Sequence, residues 1–113
     1  MNNFDRAELT MEALLKVVKK DVNHVPFWRP FRKKNLKFNY LNLVDALDMY
    51  RNNLSLASKA EYVQVFATWI FSVAIFFETI GDEERAQDYE NISKDFTKLS
   101  MNMTIPSSEH WSI

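Results

Sequence analysis

The chain contains no cysteine, which excludes disulfides, thiolate nucleophiles, Cys-ligated zinc and iron–sulfur clusters. It contains one glycine, Gly81, so the glycine-rich loops that cradle phosphates in nucleotide hydrolases and dinucleotide oxidoreductases cannot be written anywhere in it. That glycine and three prolines are also too few turn residues for a sheet of tight hairpins, and long helices are the expectation. The two histidines, His24 and His110, are not spaced with any acid as a helical zinc pair requires. A net charge of -1 argues against a protein that coats nucleic acid by bulk charge, so an electrostatic partner has to be met by a local patch. The first twenty residues mix charged and apolar side chains without the uncharged run of a secretory signal, and a cytoplasmic location is expected.

What is present reads as helix. A chain of 113 residues fits one domain, residues 1–113, large enough to bury a core without metal or disulfide support. Phe4, Ala7, Met11, Leu14, Leu15, Val18 and Val22 recur at spacings of three and four, the helical period. The same period marks Tyr40, Leu43, Val44, Leu47 and Tyr50, and again Ala86, Tyr89, Ile92, Phe96 and Leu99. Helices are expected over about 4–23, 40–53, 59–80 and 82–100. Pro26 and Pro30 are read as breaks, Ser58-Lys59-Ala60-Glu61 as a capping box, Gly81 as a left-handed C-cap and Asp82 as an N-cap. The expected fold is all-α: a single antiparallel four-helix bundle with a C-terminal tail, 101–113, extended along it and anchored by Ile105, Trp111 and Ile113.

The third helix should be the centre. Sixteen consecutive residues, Tyr62 to Phe77, carry no charge, short of the roughly twenty that span a bilayer. A helix apolar on nearly every side is buried in protein or lipid, and a core helix is favoured over a membrane span. Its polar exceptions Gln64, Thr68 and Ser72 lie four apart, on one line that faces solvent, a ligand or a second copy. So apolar a helix needs more cover than three partners provide, and a homo-oligomer is expected.

The segment 24–40 is unlike the rest in being both basic and aromatic. Trp28, Arg29, Phe31, Arg32, Lys33, Lys34, Lys37 and Tyr40 form the candidate ligand site: arginine forks and lysine charges for phosphate or carboxylate, aromatic faces for stacking. The implied partner is an anionic ligand: a nucleotide, a nucleic acid or an acidic protein surface. The competing structural reading has Phe27, Phe31 and Phe38 plugging the end of the core while the cations sit in solvent or pair with acids of the last helix. From Lys16 to Lys37 there are eight basic residues and one acid, whereas Glu78 to Asp95 holds seven acids and two basic residues, so the chain is dipolar. The alternative function follows from that second patch: an immunity-, antitoxin- or inhibitor-type protein that covers a basic partner through Glu83, Glu84, Asp88 and Glu90.

Enzyme chemistry finds little support, and neither cofactor nor metal is expected. Glu8 with Glu12, and Asp45 with Asp48, are carboxylate pairs at helical spacing, a pattern that usually marks a solvated face. Arg51-Asn52 resembles the start of the Arg-polar-x-His motif of HEPN-type ribonucleases, but Ala57, Ser58 and Lys59 stand where the histidine belongs, so the acid–base group of that mechanism is missing. Phe77, Gly81, Ala86 and Tyr89 together resemble the middle of a tetratricopeptide motif. No second copy follows, and the stretch is read as a generic helical hairpin.

Overall fold

The computed structural model describes residues 3–104; the expected anchors Ile105, Trp111 and Ile113, with His110, lie outside them. Four helices run in order, α1 (Asn3–His24), α2 (Pro30–Asn52), α3 (Leu56–Thr79) and α4 (Glu83–Thr104), with no strand among the described residues. Together they form a helical bundle in which α3 packs most extensively, against α2 on one side and α4 on the other. Residue pairs across each junction run in opposite senses. Phe38 meets Trp69 and Lys59 reaches Tyr50 between α2 and α3, while Ser93 meets Ala67 and Ser100 meets Ala60 between α3 and α4.

Periodicity placed the core of α1 correctly: Ala7, Met11, Leu14, Val18 and Val22 are buried and Phe4 and Leu15 pack against them. On α3, Val63, Phe66, Ala67, Ile70, Val73, Phe76 and Phe77 are buried. Half of its most apolar window is buried inside the bundle; among the described residues α3 is the one helix whose length and composition would also suit a membrane crossing. The line of Gln64, Thr68 and Ser72 is its outer edge. Gln64 and Thr68 are exposed and Ser72 half-buried, and the hydroxyls of Thr68 and Ser72 donate to the carbonyls of Gln64 and Thr68 one turn back. Three apolar side chains share that edge: Val65, Phe71 and Ile75 are 40%, 45% and 49% exposed.

The α3–α4 contact is built from small residues. Ala60, Ala67 and Ala74 on α3 and Ala86, Ser93 and Ser100 on α4 recur every seventh residue and are all buried. Side chains this short let the backbones approach. Ser93 Oγ donates to the Ala67 carbonyl and Ser100 Oγ to the Ala60 carbonyl, each at 2.8 Å, which satisfies two buried hydroxyls on the facing helix.

The turn between α3 and α4 is the one read from the sequence. Gly81 has φ 88°, a left-handed conformation that costs a side-chain-bearing residue free energy. The N–H of Asp82 donates to the Phe77 carbonyl and that of Gly81 to the Glu78 carbonyl, the paired bonds of a Schellman closure. Asp82 Oδ1 then accepts from the N–H of Arg85 as the N-cap of α4.

Three boundaries differ from expectation. α2 begins at Pro30, ten residues before the expected start at Tyr40, because a proline at the first helical position removes no hydrogen bond and brings a helical φ with it. α3 begins at Leu56: Ser55 is its N-cap, its Oγ accepting from the N–H of Ser58, so Ser58 lies inside the first turn and is not the cap. Residues 101–104 continue α4 as helix instead of starting the extended tail, since Pro106 restricts only the residue directly before it.

Candidate functional site

The earlier start of α2 reshapes the basic aromatic segment. Only Val25–Arg29 remains as connection, tightened by the Arg29 N–H donating to the Pro26 carbonyl at 3.0 Å, and the remaining candidates ride on the first turns of a helix. Arg29 occupies the N-cap position with no side-chain cap. Helix geometry leaves its first N–H groups unpaired; Lys33 donates to the Arg29 carbonyl at 2.9 Å, so the N–H groups of Phe31 and Arg32 are the ones directed out of the helix end. α2 has no acid in its first turn, and Arg29, Arg32, Lys33 and Lys34 add their charge to the positive end of the macrodipole. Cations there oppose the helix; an anion would relieve both terms.

The aromatic rings do not plug the core. Phe27 is 86% exposed, Trp28 62%, Phe31 75% and Phe38 58%, which overturns the structural reading in which Phe27, Phe31 and Phe38 close the bundle. Phe31 and Phe38 fall on the outer face of α2, opposite the buried Leu36, Asn39, Leu43 and Leu47, while Phe27 and Trp28 belong to the connection before it. The Arg29 guanidinium lies 4.6 Å from the centre of the Trp28 ring, a cation–π contact that holds the planar group at the surface. Trp28, Arg29, Pro30, Phe31 and Arg32 line an open groove of about 440 Å³.

The helix divides the remaining candidates. Lys34 and Lys37 are exposed, Lys33 is half-buried, and Tyr40 is half-buried against the core, so Tyr40 stands apart from the groove. Phe38 meets Trp69 of α3 edge-on, with ring centroids 5.7 Å apart. The cations do not pair with the acids of α4. Ion pairs among the described residues join Arg51 to Glu8 and Glu12, Arg85 to Asp21 and Asp82, and Lys94 to Glu90; none involves Arg29, Arg32, Lys33, Lys34 or Lys37.

The acids of α4 are split between two faces. Glu83 and Glu90 border a groove of about 360 Å³ between α3 and α4, whose floor includes Phe71, Ala74, Ile75 and Ala86, with Glu78 on the same rim. Asp88 instead lines a second groove beside Val17, Asp21 and Arg85, and Glu84 is exposed. Sequence reasoning missed Phe71 and Ile75, because a helix this apolar offered no sign of which large residues would be left outside.

His24 is exposed, its Nδ1 2.8 Å from the Lys20 carbonyl. Among the described residues no group of three His, Asp or Glu side chains converges as a metal site would require. Burial pushes the phenols of Tyr50 and Tyr89 up, to about 12 for Tyr50, and both hydroxyls are engaged in joining helices. Compared with known proteins, the chain matches no family model, no curated protein and no solved structure.

Proposed function

We propose that the protein is a cytoplasmic, non-enzymatic binding protein that takes an anionic ligand at the start of α2, through Trp28, Arg29, Phe31 and Arg32, with Lys33, Lys34 and Lys37 supplying longer-range attraction. One observation carries this reading. Cations that form no ion pair among the described residues, together with exposed aromatic rings, are gathered around a helix N-terminus that has no side-chain cap and no acid in its first turn. Such a place offers backbone donors, guanidinium forks and stacking faces together. A phosphate or carboxylate attached to a flat or apolar body suits it best.

The test replaces Arg32, Lys33 and Lys34 by alanine and measures binding to nucleotides and oligonucleotides at two salt concentrations. Loss of binding, together with a wild-type affinity that falls as salt rises, is the expected result. Binding that survives the triple replacement with no salt dependence sinks the reading.

A second reading is favoured by the α3–α4 groove, where Glu83 and Glu90 flank the exposed Phe71 and Ile75. There an immunity- or inhibitor-type protein would cover a basic partner, as small helical bundles commonly do, which is an analogy of fold alone. Recovery of a stoichiometric partner that withstands charge reversal on α2 but not at Glu83 and Glu90 would favour it over the first.

A further inference from the structure

We infer that two copies of this chain dock reciprocally, the aromatic and cationic start of α2 on each copy seated in the α3–α4 groove of the other. The inference rests on the reading of α2 as an anion-seeking surface and names what it seeks. Each half of the contact is present and unsatisfied in one chain. The groove has an apolar floor containing Phe71 and Ile75, 45% and 49% exposed on the helix that is otherwise the core of the fold. Its rim carries Glu78 and Glu83, for which no ion pair is formed among the described residues. Glu90 adds a carboxylate whose one ion pair among the described residues is with Lys94 on its own helix, at 3.7 Å.

The start of α2 and the residues just before it are the complement: Phe27 and Phe31 at 86% and 75% exposure, with Arg32 and Lys34 beside them and no ion pair formed by either cation among the described residues. Apolar surface flanked by charge of one sign meets apolar surface flanked by the other, the arrangement that gives an interface both its driving force and its register.

Position favours a second copy as the occupant. Phe38 touches Trp69, which sets the first turns of α2 beside the C-terminal half of α3. The groove is built on Phe71 to Glu78 and the first turns of α4. Both features therefore sit toward the same end of the bundle, and one two-fold axis near that end satisfies both at once, each residue of one copy repeating its contact on the other. A chain of net charge -1 meets little bulk repulsion from its twin.

The experiment is sedimentation of the full chain over a concentration series, with circular dichroism to confirm that each variant is folded. One variant carries Arg32→Glu with Lys34→Glu, the other Glu83→Lys with Glu90→Lys. Wild type should dimerise, less tightly as salt rises, and each variant should weaken the dimer by about tenfold or more. An equimolar mixture of the two variants should regain the dimer, since the reversed segment of one fits the reversed groove of the other while the native segment of the second fits the native groove of the first. A monomeric wild type, variants that dimerise like wild type, or a mixture that stays monomeric would each overturn the inference.

Oligonucleotide binding by the same proteins separates this failure from failure of the parent reading. If Arg32→Glu with Lys34→Glu abolishes oligonucleotide binding by a wild type that is monomeric, α2 remains an anion site and only self-docking falls. If wild type is monomeric and binds no oligonucleotide, both fall.

Discussion

Tyr89 donates its phenol hydrogen to Asp21 Oδ2 at 2.5 Å, joining α4 to α1. Asp21 also accepts from Arg85 Nε at 3.2 Å through its other oxygen, so one carboxylate ties two positions of α4 to the end of α1. A matching tie closes the other end of α1, where the phenol of Tyr50 on α2 donates to the Phe4 carbonyl at 2.7 Å. α1 makes few contacts with α3 and α4, and these polar ties hold it in place alongside its apolar stripe.

Both tyrosines should make the fold sensitive to alkali. Burial first, then the hydrogen bond to Asp21 and its charge, raise the Tyr89 pKa well above the ordinary tyrosine value. Burial first, then the charges of Glu8 and Asp5, push Tyr50 up to about 12. In the unfolded chain each phenol ionises near its usual value of about 10. Above that pH the unfolded state loses a proton that the native state keeps, and the stability present below it is progressively lost as pH rises. For Tyr50 the loss runs from about 10 to about 12; for Tyr89 it continues further. Denaturant melts at increasing pH should show stability falling by up to about 1.4 kcal/mol per pH unit per tyrosine. Tyr89→Phe should flatten that slope while costing about 1.5–3 kcal/mol at neutral pH for the lost bond to a charged acceptor. An unchanged alkaline slope in Tyr50→Phe and Tyr89→Phe together would refute this account.

The seven-residue seam between α3 and α4 predicts a strong asymmetry between deletion and addition of volume. Ser93→Ala and Ser100→Ala each remove one buried hydrogen bond and should cost about 1 kcal/mol. Ala67→Leu inserts three carbons where a facing hydroxyl already touches the backbone, and overpacking of this kind costs about 1–3 kcal/mol or more. Ala67→Leu should therefore be the more damaging change although it adds apolar surface, measured as a lower denaturant midpoint with unchanged slope. If it stabilises the protein, the helices are not held together by the short side chains of this seam.

What could be read from the residues and what could not divides along a physical line. Amphipathic α1 and α4 show themselves because spacing alone separates their two faces, and the α3–α4 turn because Gly81 and Asp82 have few other uses in sequence. The start of α2 was hidden. Pro30 is a breaker inside a helix and a starter at its first position, and the side chains after it, Arg32, Lys33 and Lys34, carry the wrong charge for a helix N-terminus, so local signals pointed to a loop. Two serines three apart, Ser55 and Ser58, both offer a cap for α3. Glu61 favours Ser58 as a capping box, yet the helix takes Ser55 because Leu56 and Ala57 are themselves good helix formers. For the candidate site, composition marks 24–40 as basic and aromatic but does not say which way its side chains face. That Phe27 and Phe31 face water, and that Tyr40 leaves the group to join the core, depended on the tertiary placement of α2. The serines of the seam were invisible for a related reason: a polar residue on an apolar face is buried only if a carbonyl waits on the other side.

The mismatch at the start of α2 leads to a final prediction, in which stability and binding part company. Arg29 stands at the N-cap with no side-chain bond to give, and its charge adds to the positive end of the helix. Arg29→Asp supplies a carboxylate where the helix can use it, to accept from a free N–H and to offset the dipole, each worth about 0.5–1 kcal/mol. Against this stands the loss of the stacking of Arg29 on Trp28 at 4.6 Å, worth about 0.5–1 kcal/mol at an exposed site. The balance favours the variant by up to about 1.5 kcal/mol, a rise in melting temperature of several degrees. The same change fills the helix end with a carboxylate and deletes a guanidinium from the groove, so anion binding should fall sharply while the fold becomes firmer. A residue retained only for structure would behave in the opposite way, losing stability on replacement and leaving binding intact. Thermal melts and oligonucleotide titrations of this one variant therefore decide whether the start of α2 is shaped for its helix or for a ligand.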